Sequence, residues 1–384
     1  MRIAILGAGP AGLYLAYLLK RARPDFVVDV FEQNPPNATF GFGLAFSARA
    51  LEFLSAEDAE TLAAIEPSLE SWSDSVLHLN GREIRIDGMH YSGIGRLRLL
   101  QILQERARSV GISASYGARV ESLADLEPAD MIVGADGANS IIRSTLAKEF
   151  GTSISTLSNR FAWFGTRKKF SALHHTFIAT ADGHFNAHHH PHAPGMSTFV
   201  VEVDEATFFR CGFDRMDAEQ ARAFCAAVFS DTLSGHELVS NNSIWRRFPK
   251  VKNARWSSGK CVLLGDALRT VHFSIGSGTR LALEDAIALK NAILLHPTDA
   301  HAAFAAYEST RAPHVAALVE AAEKSADWYE HFPNHMRLEP LDFAYSYITR
   351  SGRVDLKRLR ETSPEFVAAY QAHLTRKQPP PLQS

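Results

Sequence analysis

Cysteine is scarce in this chain: three residues in 384, Cys211, Cys225 and Cys261, odd in number and far apart, with no C-x-x-C pair. Neither a disulfide framework nor a cysteine-based zinc site follows from them. An excess of either charge is missing too. Forty basic side chains against 42 acidic ones give a formal net charge of −2, without the basic footprint that a nucleic-acid partner demands. No run of ~18 or more apolar residues occurs, so no membrane-spanning helix is expected. The first residues, MRIAILGAG, reach glycine too early for a secretory signal. The expected compartment is a reduced cytoplasm. A G-x-S-x-G nucleophile elbow and a metal-ligating helix motif are both absent.

What is there alternates. RIAIL reads as a buried strand, GLYLAYLLKRA as a helix with a basic last turn, and VVDVFE as the next strand. RLRLLQILQERARSVG is an amphipathic helix ending at Gly111, and ADMIVGADG is another buried strand with a glycine-rich exit. Between about 156 and 250 the texture changes to aromatic and β-branched runs such as FAWFGTRKKF and STFVVEV, the composition of an antiparallel sheet. The expected fold is α/β. A discontinuous Rossmann-like domain comprises 1–75, 91–155 and 251–325. A mostly antiparallel substrate sheet comprises 76–90 and 156–250, and a helical end with a frayed tail comprises 326–384.

Gly7-Ala8-Gly9-Pro10-Ala11-Gly12 follows a strand and opens a helix. In a G-x-G-x-x-G turn one glycine makes the bend, one lets backbone approach a pyrophosphate, and one permits close helix–sheet packing. Glu32 closes the second strand twenty residues after Gly12, where a carboxylate binds ribose hydroxyls. A dinucleotide is expected here. A second glycine-rich stretch, GDALRTVHFSIGSGT, shows that the ligand is long. Asp266 at a strand end can accept from ribityl hydroxyls or lie beside the pyrophosphate. Gly276, Gly278 and Thr279 open a helix whose N–H groups can face the N1–O2 edge of a reduced flavin. Asp136-Gly137 at the end of another strand and Arg96 at the start of its helix complete a set that points to FAD.

GAGPAG, GADGANSIIR and LLGDA…GSGT resemble, in order and spacing, the three fingerprints of the single-component flavoprotein aromatic hydroxylases of the para-hydroxybenzoate hydroxylase type. SGIGRLRLLQIL, MSTFVVE, HFSIGSGT, LALEDAIAL and ITRSGRV…SPEF look most like the aromatic acyl-CoA hydroxylases, the salicylyl-CoA and 2-aminobenzoyl-CoA type. The tryptophan-derived hydroxylase of violacein biosynthesis is similar as well. The resemblance implies that NAD(P)H, as a transient co-substrate, reduces FAD. O₂ then adds at the flavin C4a carbon, and an electron-rich ring attacks the resulting hydroperoxide. It implies a hydroxy- or aminobenzoyl-CoA as preferred substrate, with a free or indolic aromatic, or a flavin oxidase reaction, as alternatives. This chain departs from the family at Leu268-Arg269 and His272-Phe273, where most members read Ala-His and a proline pair. Substrate geometry therefore transfers less readily than FAD binding.

Four further groups of residues carry chemistry on paper. His188, His189, His190 and His192 suggest a metal site, but successive strand residues point to opposite faces. No metal is expected; the strand is read as solvated or substrate-facing, with His188 and His190 on one face. The RKK run at 167–169 and RRFPK at 246–250 read as solvated charged rims, with CoA phosphates as the alternative. His272 can donate to a peroxide or thioester oxygen, or make a structural hydrogen bond. Trp163, Phe164 and Phe273 are ring-stacking walls or ordinary core; the core reading is preferred.

Overall fold

The computed structural model describes residues 1–47 and 50–377, so most of the expected frayed tail lies outside the described residues. Arg2–Leu6 is a buried strand, paired in parallel with Val27–Glu32 on one side and Met131–Gly134 on the other. Cys261–Leu263 and Ser115–Tyr116 extend the parallel set, and Ser257–Ser258 closes one edge as an antiparallel strand, six in all. Between the first two strands the helix Pro10–Ala22 crosses back, with Pro10 at its first position and Lys20 and Arg21 in its last turn. Its residues 11–19 are all buried, because helix Gly278–Leu295 packs against its outer side. The expected helix at 96–111 forms as Arg96–Ser109, with Gly111 just past its end at φ +83°.

The second sheet has eight strands. Thr152–Thr166, Met196–Val203, His184–Ala193 and Leu173–Ala179 lie side by side and antiparallel. Ser75–Leu79 joins Leu173–Ala179 in parallel, and Arg82–Ile86 closes that edge. Leu238–Ser240 and Arg246–Asn253 both pair with the long strand Thr152–Thr166. Strand alternation divides this sheet into two surfaces. Phe164, Phe185, Phe199 and Val201 face a core closed by the helix Ala218–Val228. Phe161, Trp163, Val200, Glu202, Asn186, His188 and His175 share the other face.

A third sheet was not foreseen. Gly43–Ser47, Tyr91–Gly95 and Glu70–Trp72 form a small antiparallel unit wedged between the other two. It packs so tightly that a Cβ on Gly43 would fall 2.3 Å from that of His192. The C-terminal helices, from Ala300–Glu330 onward, then cover one face of the second sheet. Trp328, Tyr329, Phe332, Phe343 and Tyr347 form one apolar cluster with Leu77, Leu79, Ile84, Ile86 and Phe177.

Candidate active site

The carboxyl ends of the parallel strands meet at one edge, the place where open α/β sheets bind ligands. Backbone bonds tie the four exits together: Gly7 N–H to Phe31 O (2.8 Å), Ala135 N–H to Leu6 O (2.8 Å) and Leu264 N–H to Gly134 O (3.0 Å). Glu32, the glycine turn, Asp136 and Asp266 are thereby brought to one edge. The turn tolerates no side chains where it packs. A Cβ on Gly12 would lie 1.9 Å from Gly7 O, and one on Gly7, at φ +106°, 2.3 Å from Ala135 O. Gly9 differs, with nothing within 4 Å of a Cβ there. It caps the helix N-terminus without a side-chain bond, leaving bare N–H groups facing open space, an anion cradle.

Glu32 spans the turn. One carboxylate oxygen accepts from Ala8 N–H (3.0 Å) and the other from the Asn34 backbone and amide (2.8 Å each). Ala11 packs against Gly265, whose absent Cβ would touch it at 3.4 Å. Asp136 Oδ2 accepts from Ile141 N–H (2.7 Å), whereas Oδ1 is buried and unpartnered. Burial raises this carboxyl above its ordinary value. Gly137, at φ +77°, turns the chain after it.

Asp266 is an exposed residue between buried neighbours, yet surrounding protein raises its carboxyl, with Arg96 and then Arg269 opposing. That combination describes the wall of a deep cleft. Arg96 lies across from it, its guanidinium 4.5 Å from the Trp163 ring centroid and its buried Nε unpartnered. Arg269, one of the departures from the family pattern, is structural: it pairs with the fully buried Asp285, which also holds Arg311. Gly276 sits against strand Gly43–Ser47, a Cβ there falling 2.7 Å from Ala45 O. Gly278 and Thr279 form the first turn of an 18-residue helix. The backbone cradle, the orphaned Asp136 Oδ1 and Arg96 Nε, and the open carboxylate of Asp266 suit a long, polyhydroxylated, phosphorylated cofactor.

Beside this cleft lies a cluster of aromatic rings. The ring of Phe273 packs 4.9 Å from Phe161, 5.3 Å from His188, 6.0 Å from Trp163 and 4.2 Å from His272. Trp163 and Phe273 thus belong to one ring cluster, whereas Phe164 is core on the opposite face of the sheet. His188 keeps an unpartnered buried Nδ1, and burial pushes it down to about 3. His190 shares that face but stacks on Trp72 at 5.5 Å and bonds Pro191 O, so it does not join Phe273. His189 points the other way, stacked on Phe199 at 4.9 Å. The histidine strand is therefore buried rather than solvated, because both faces of the sheet are covered. Lys168 of the RKK run closes a helix end by donating to Thr232 O and Ser234. Lys250 of the other run lines a cavity with Phe248, Thr270 and His272.

Several residues on or against this face of the sheet had no signal in the sequence. Glu202, 2% exposed, accepts from Asn159 Nδ2 (2.8 Å) through one oxygen only, and burial pushes it up to about 8. At neutral pH it is an uncharged acid. Tyr347 and Arg350 enter from the C-terminal helices, Tyr347 bonding His175 Nε2 at 2.6 Å.

Residues 127–322 match the family model for an FAD binding domain, and 5–39 match that for an NAD(P)-binding Rossmann-like domain. The two agree, since a G-x-G-x-x-G turn receives the ADP half common to both dinucleotides. The chain is 39% identical over 363 residues to salicyloyl-CoA 5-hydroxylase of a Streptomyces species, covering 91% of this chain and 70% of that protein. The chain belongs to the FAD-dependent aromatic monooxygenases. This monooxygenase is also 33% identical to 3-hydroxy-4-methyl-anthranilyl-[aryl-carrier protein] 5-monooxygenase of Streptosporangium sibiricum, covering 94% and 97% of the two chains. It is 31% identical to protodeoxyviolaceinate monooxygenase of Chromobacterium violaceum, covering 91% and 94%. Its fold is that of 2-methyl-3-hydroxypyridine-5-carboxylic acid oxygenase, with a TM-score of 0.72 at 16% identity over 91% and 95% of the chains. Among the described residues no helix is long and apolar enough to cross a membrane.

Proposed function

We propose that this monooxygenase hydroxylates an aromatic ring that carries an ortho hydroxyl or amino group and is tethered as a thioester, using NAD(P)H and O₂. Gly7–Gly12 and Glu32 would hold the adenosine end of FAD, Asp266, Arg96 and Asp136 its middle, and Gly276–Thr279 its ring edge. When bound, the flavin takes hydride from the nicotinamide and presents oxygen as an electrophile. The protein binds, orients and excludes water. Phe273, Phe161 and Trp163 hold the ring between apolar faces. His188 Nδ1, a neutral imidazole nitrogen without a protein partner, meets the ring's hydroxyl or amino group.

The observation that carries this reading is the chemistry of the aromatic cluster and of the sheet face it lies on. The histidines there are held neutral by burial, with His188 and His272 at about 3, and Glu202, on the same face of the sheet as His188, is held protonated at about 8. Such surroundings accept a neutral ring and supply no nucleophile or ionised general base of their own. The thioester assignment draws support from two relatives whose names specify a CoA ester and a carrier-protein substrate, both hydroxylated at position 5. That position is para to an ortho donor, the carbon such a donor makes most reactive. A phosphorylated handle adds remote binding energy that positions the ring.

The test is oxygen uptake beside product mass and regiochemistry, with salicylate, salicylyl-CoA, 2-aminobenzoyl-CoA and tryptophan in parallel. The expected result is coupled NAD(P)H oxidation and a 5-hydroxylated product with a thioester, and little with the free acid. Tight coupling with the free acid or the indole, and none with either thioester, overturns the substrate assignment. Stoichiometric peroxide with every ring favours an oxidase.

A further inference from the structure

The C-terminal segment reaches the site through Arg350, a guanidinium with no carboxylate in ion-pair contact among the described residues. It stacks 3.9 Å from the Tyr347 ring centroid. Its Nε donates to Ser325 Oγ (3.0 Å), Nη1 to Tyr347 O (2.7 Å) and Nη2 to Ser274 O (2.9 Å). From Ser325 the chain of contacts continues: Ser325 Oγ to Ser274 Oγ at 2.8 Å, then Ser274 Oγ to His272 Nδ1 at 2.8 Å.

The direction of every proton in this chain follows from its first member. Arginine only donates. Ser325 Oγ therefore accepts from Nε, and the remaining partner for its own proton is Ser274 Oγ. Ser274 Oγ, now an acceptor, sends its proton to His272 Nδ1. A second constraint is independent of the hydroxyls: Ser274 N–H also points at Nδ1, at 3.4 Å, and that contact requires a bare nitrogen. Both give the same tautomer, with the lone pair on Nδ1 and the proton on Nε2. The ring stays neutral, since burial first and then the Arg350 charge push it down to about 3.

We propose that Arg350, Ser325 and Ser274 are positioning residues that hold His272 as its Nε2–H tautomer, and that His272 presents this proton to an acceptor oxygen of the substrate. Nε2 has no protein partner among the described residues; the hydrogen bonds of the ring are all at Nδ1. The ring packs against Phe273 of the aromatic cluster, and it also lines a separate cavity with Phe248, Lys250 and Thr270. The nature of the acceptor rests on the reading above; the tautomer does not.

The tautomer is read by long-range ¹H–¹⁵N correlation on FAD-loaded protein labelled with ¹⁵N-histidine, His272 being assigned by its loss in His272→Gln. The expected pattern is a protonated Nε2 and a bare Nδ1 whose resonance is shifted by an accepted hydrogen bond. Ser274→Ala should return Nδ1 toward the unbonded position, and Ser325→Ala should move it the same way by less. A protonated Nδ1, or a resonance unmoved in both serine variants, overturns the chain. For the donor role, His272→Phe keeps a ring and loses the proton, whereas His272→Gln keeps a donor. With the best ring substrate, kcat/KM should fall about tenfold in the first and only a few-fold in the second, the worth of one hydrogen bond. Equal losses in both, or peroxide release at unchanged KM, overturn the donor role. Absence of turnover with every ring, beside the expected tautomer, overturns the enzymatic reading and the donor role and leaves the hydrogen-bond chain standing.

Discussion

The two ends of the proposed cofactor groove are built from different material. At the adenosine end the chain offers backbone: the bare turn Gly7–Gly12, a helix N-terminus at Gly9, and carbonyls so close that Gly12 has room for no Cβ. At the ring end it offers side chains, Phe273, Trp163, His188 and His272, contributed by segments far apart in the chain. A backbone site tolerates almost no substitution where it packs. A side-chain site can be re-lined residue by residue, which is how one scaffold serves many substrates.

The comparison breaks most sharply at Gly12. Gly12→Ala drives a methyl to 1.9 Å from Gly7 O, so the variant should purify without flavin and melt lower than wild type. Flavin absorbance and a thermal melt check both; a yellow variant with wild-type affinity would show that the turn is not the adenosine site. Asp266→Ala stands next. It removes a carboxylate's hydrogen bonds to the cofactor, worth on the order of 1.5–3 kcal/mol, so FAD affinity in a titration should drop at least about tenfold while the melt of the apoprotein barely moves.

A third prediction concerns the histidines. In the native state His174, His190 and His192 are pushed down to about 4 and His188 and His272 to about 3, from an ordinary value of 6.5, in each case chiefly by burial. The unfolded chain takes up protons below ~6.5 and the native state does not, so stability must fall as pH drops from 6.5 toward 4. Glu202, at about 8, and the raised carboxyls of Asp136 and Asp266 have the opposite slope, but they are outnumbered by the buried histidines, His175 and His189 included. The melting midpoint should decrease from pH 7 to pH 5, less steeply in His189→Gln, whose parent ring is fully buried. A flat profile would mean that these rings protonate freely in the folded protein.

The smallest effect expected on the cofactor comes from the ring end. His188→Ala combined with His190→Ala should leave FAD affinity within about twofold and metal content unchanged, and lower turnover several-fold. Stoichiometric zinc lost in that variant would restore the metal reading of the histidine run.

Legibility divides along the same line. Glycines forced by close approach, carboxylates at strand ends and the period of the helix Arg96–Ser109 are local facts, and the sequence displays them at fixed spacing. Alternation alone put His188 and His190 on one face. The wedge sheet Gly43–Ser47, Glu70–Trp72 and Tyr91–Gly95 was not legible, because its strands pair across tens of residues and carry no hydrophobic alternation of their own. Glu202, Tyr347 and Arg350 were invisible for another reason. Each is an ordinary residue in an ordinary element, and only burial under a distant helix makes its chemistry unusual.

The cover formed by the C-terminal helices also bears on how substrate range changes between relatives. Tyr347 and Arg350 reach His175 and Ser274 from a segment whose own apolar cluster is closed on the strands Ser75–Leu79 and Arg82–Ile86. A chimaera that exchanges only the residues after Ala326 would seat foreign aromatic side chains on an unmatched sheet edge and lose packing. Carried together with residues 75–86, the same segment becomes a transplantable unit. It would bring its contacts to His175 and Ser274 with it while the glycine turn and its strand ends stay behind untouched.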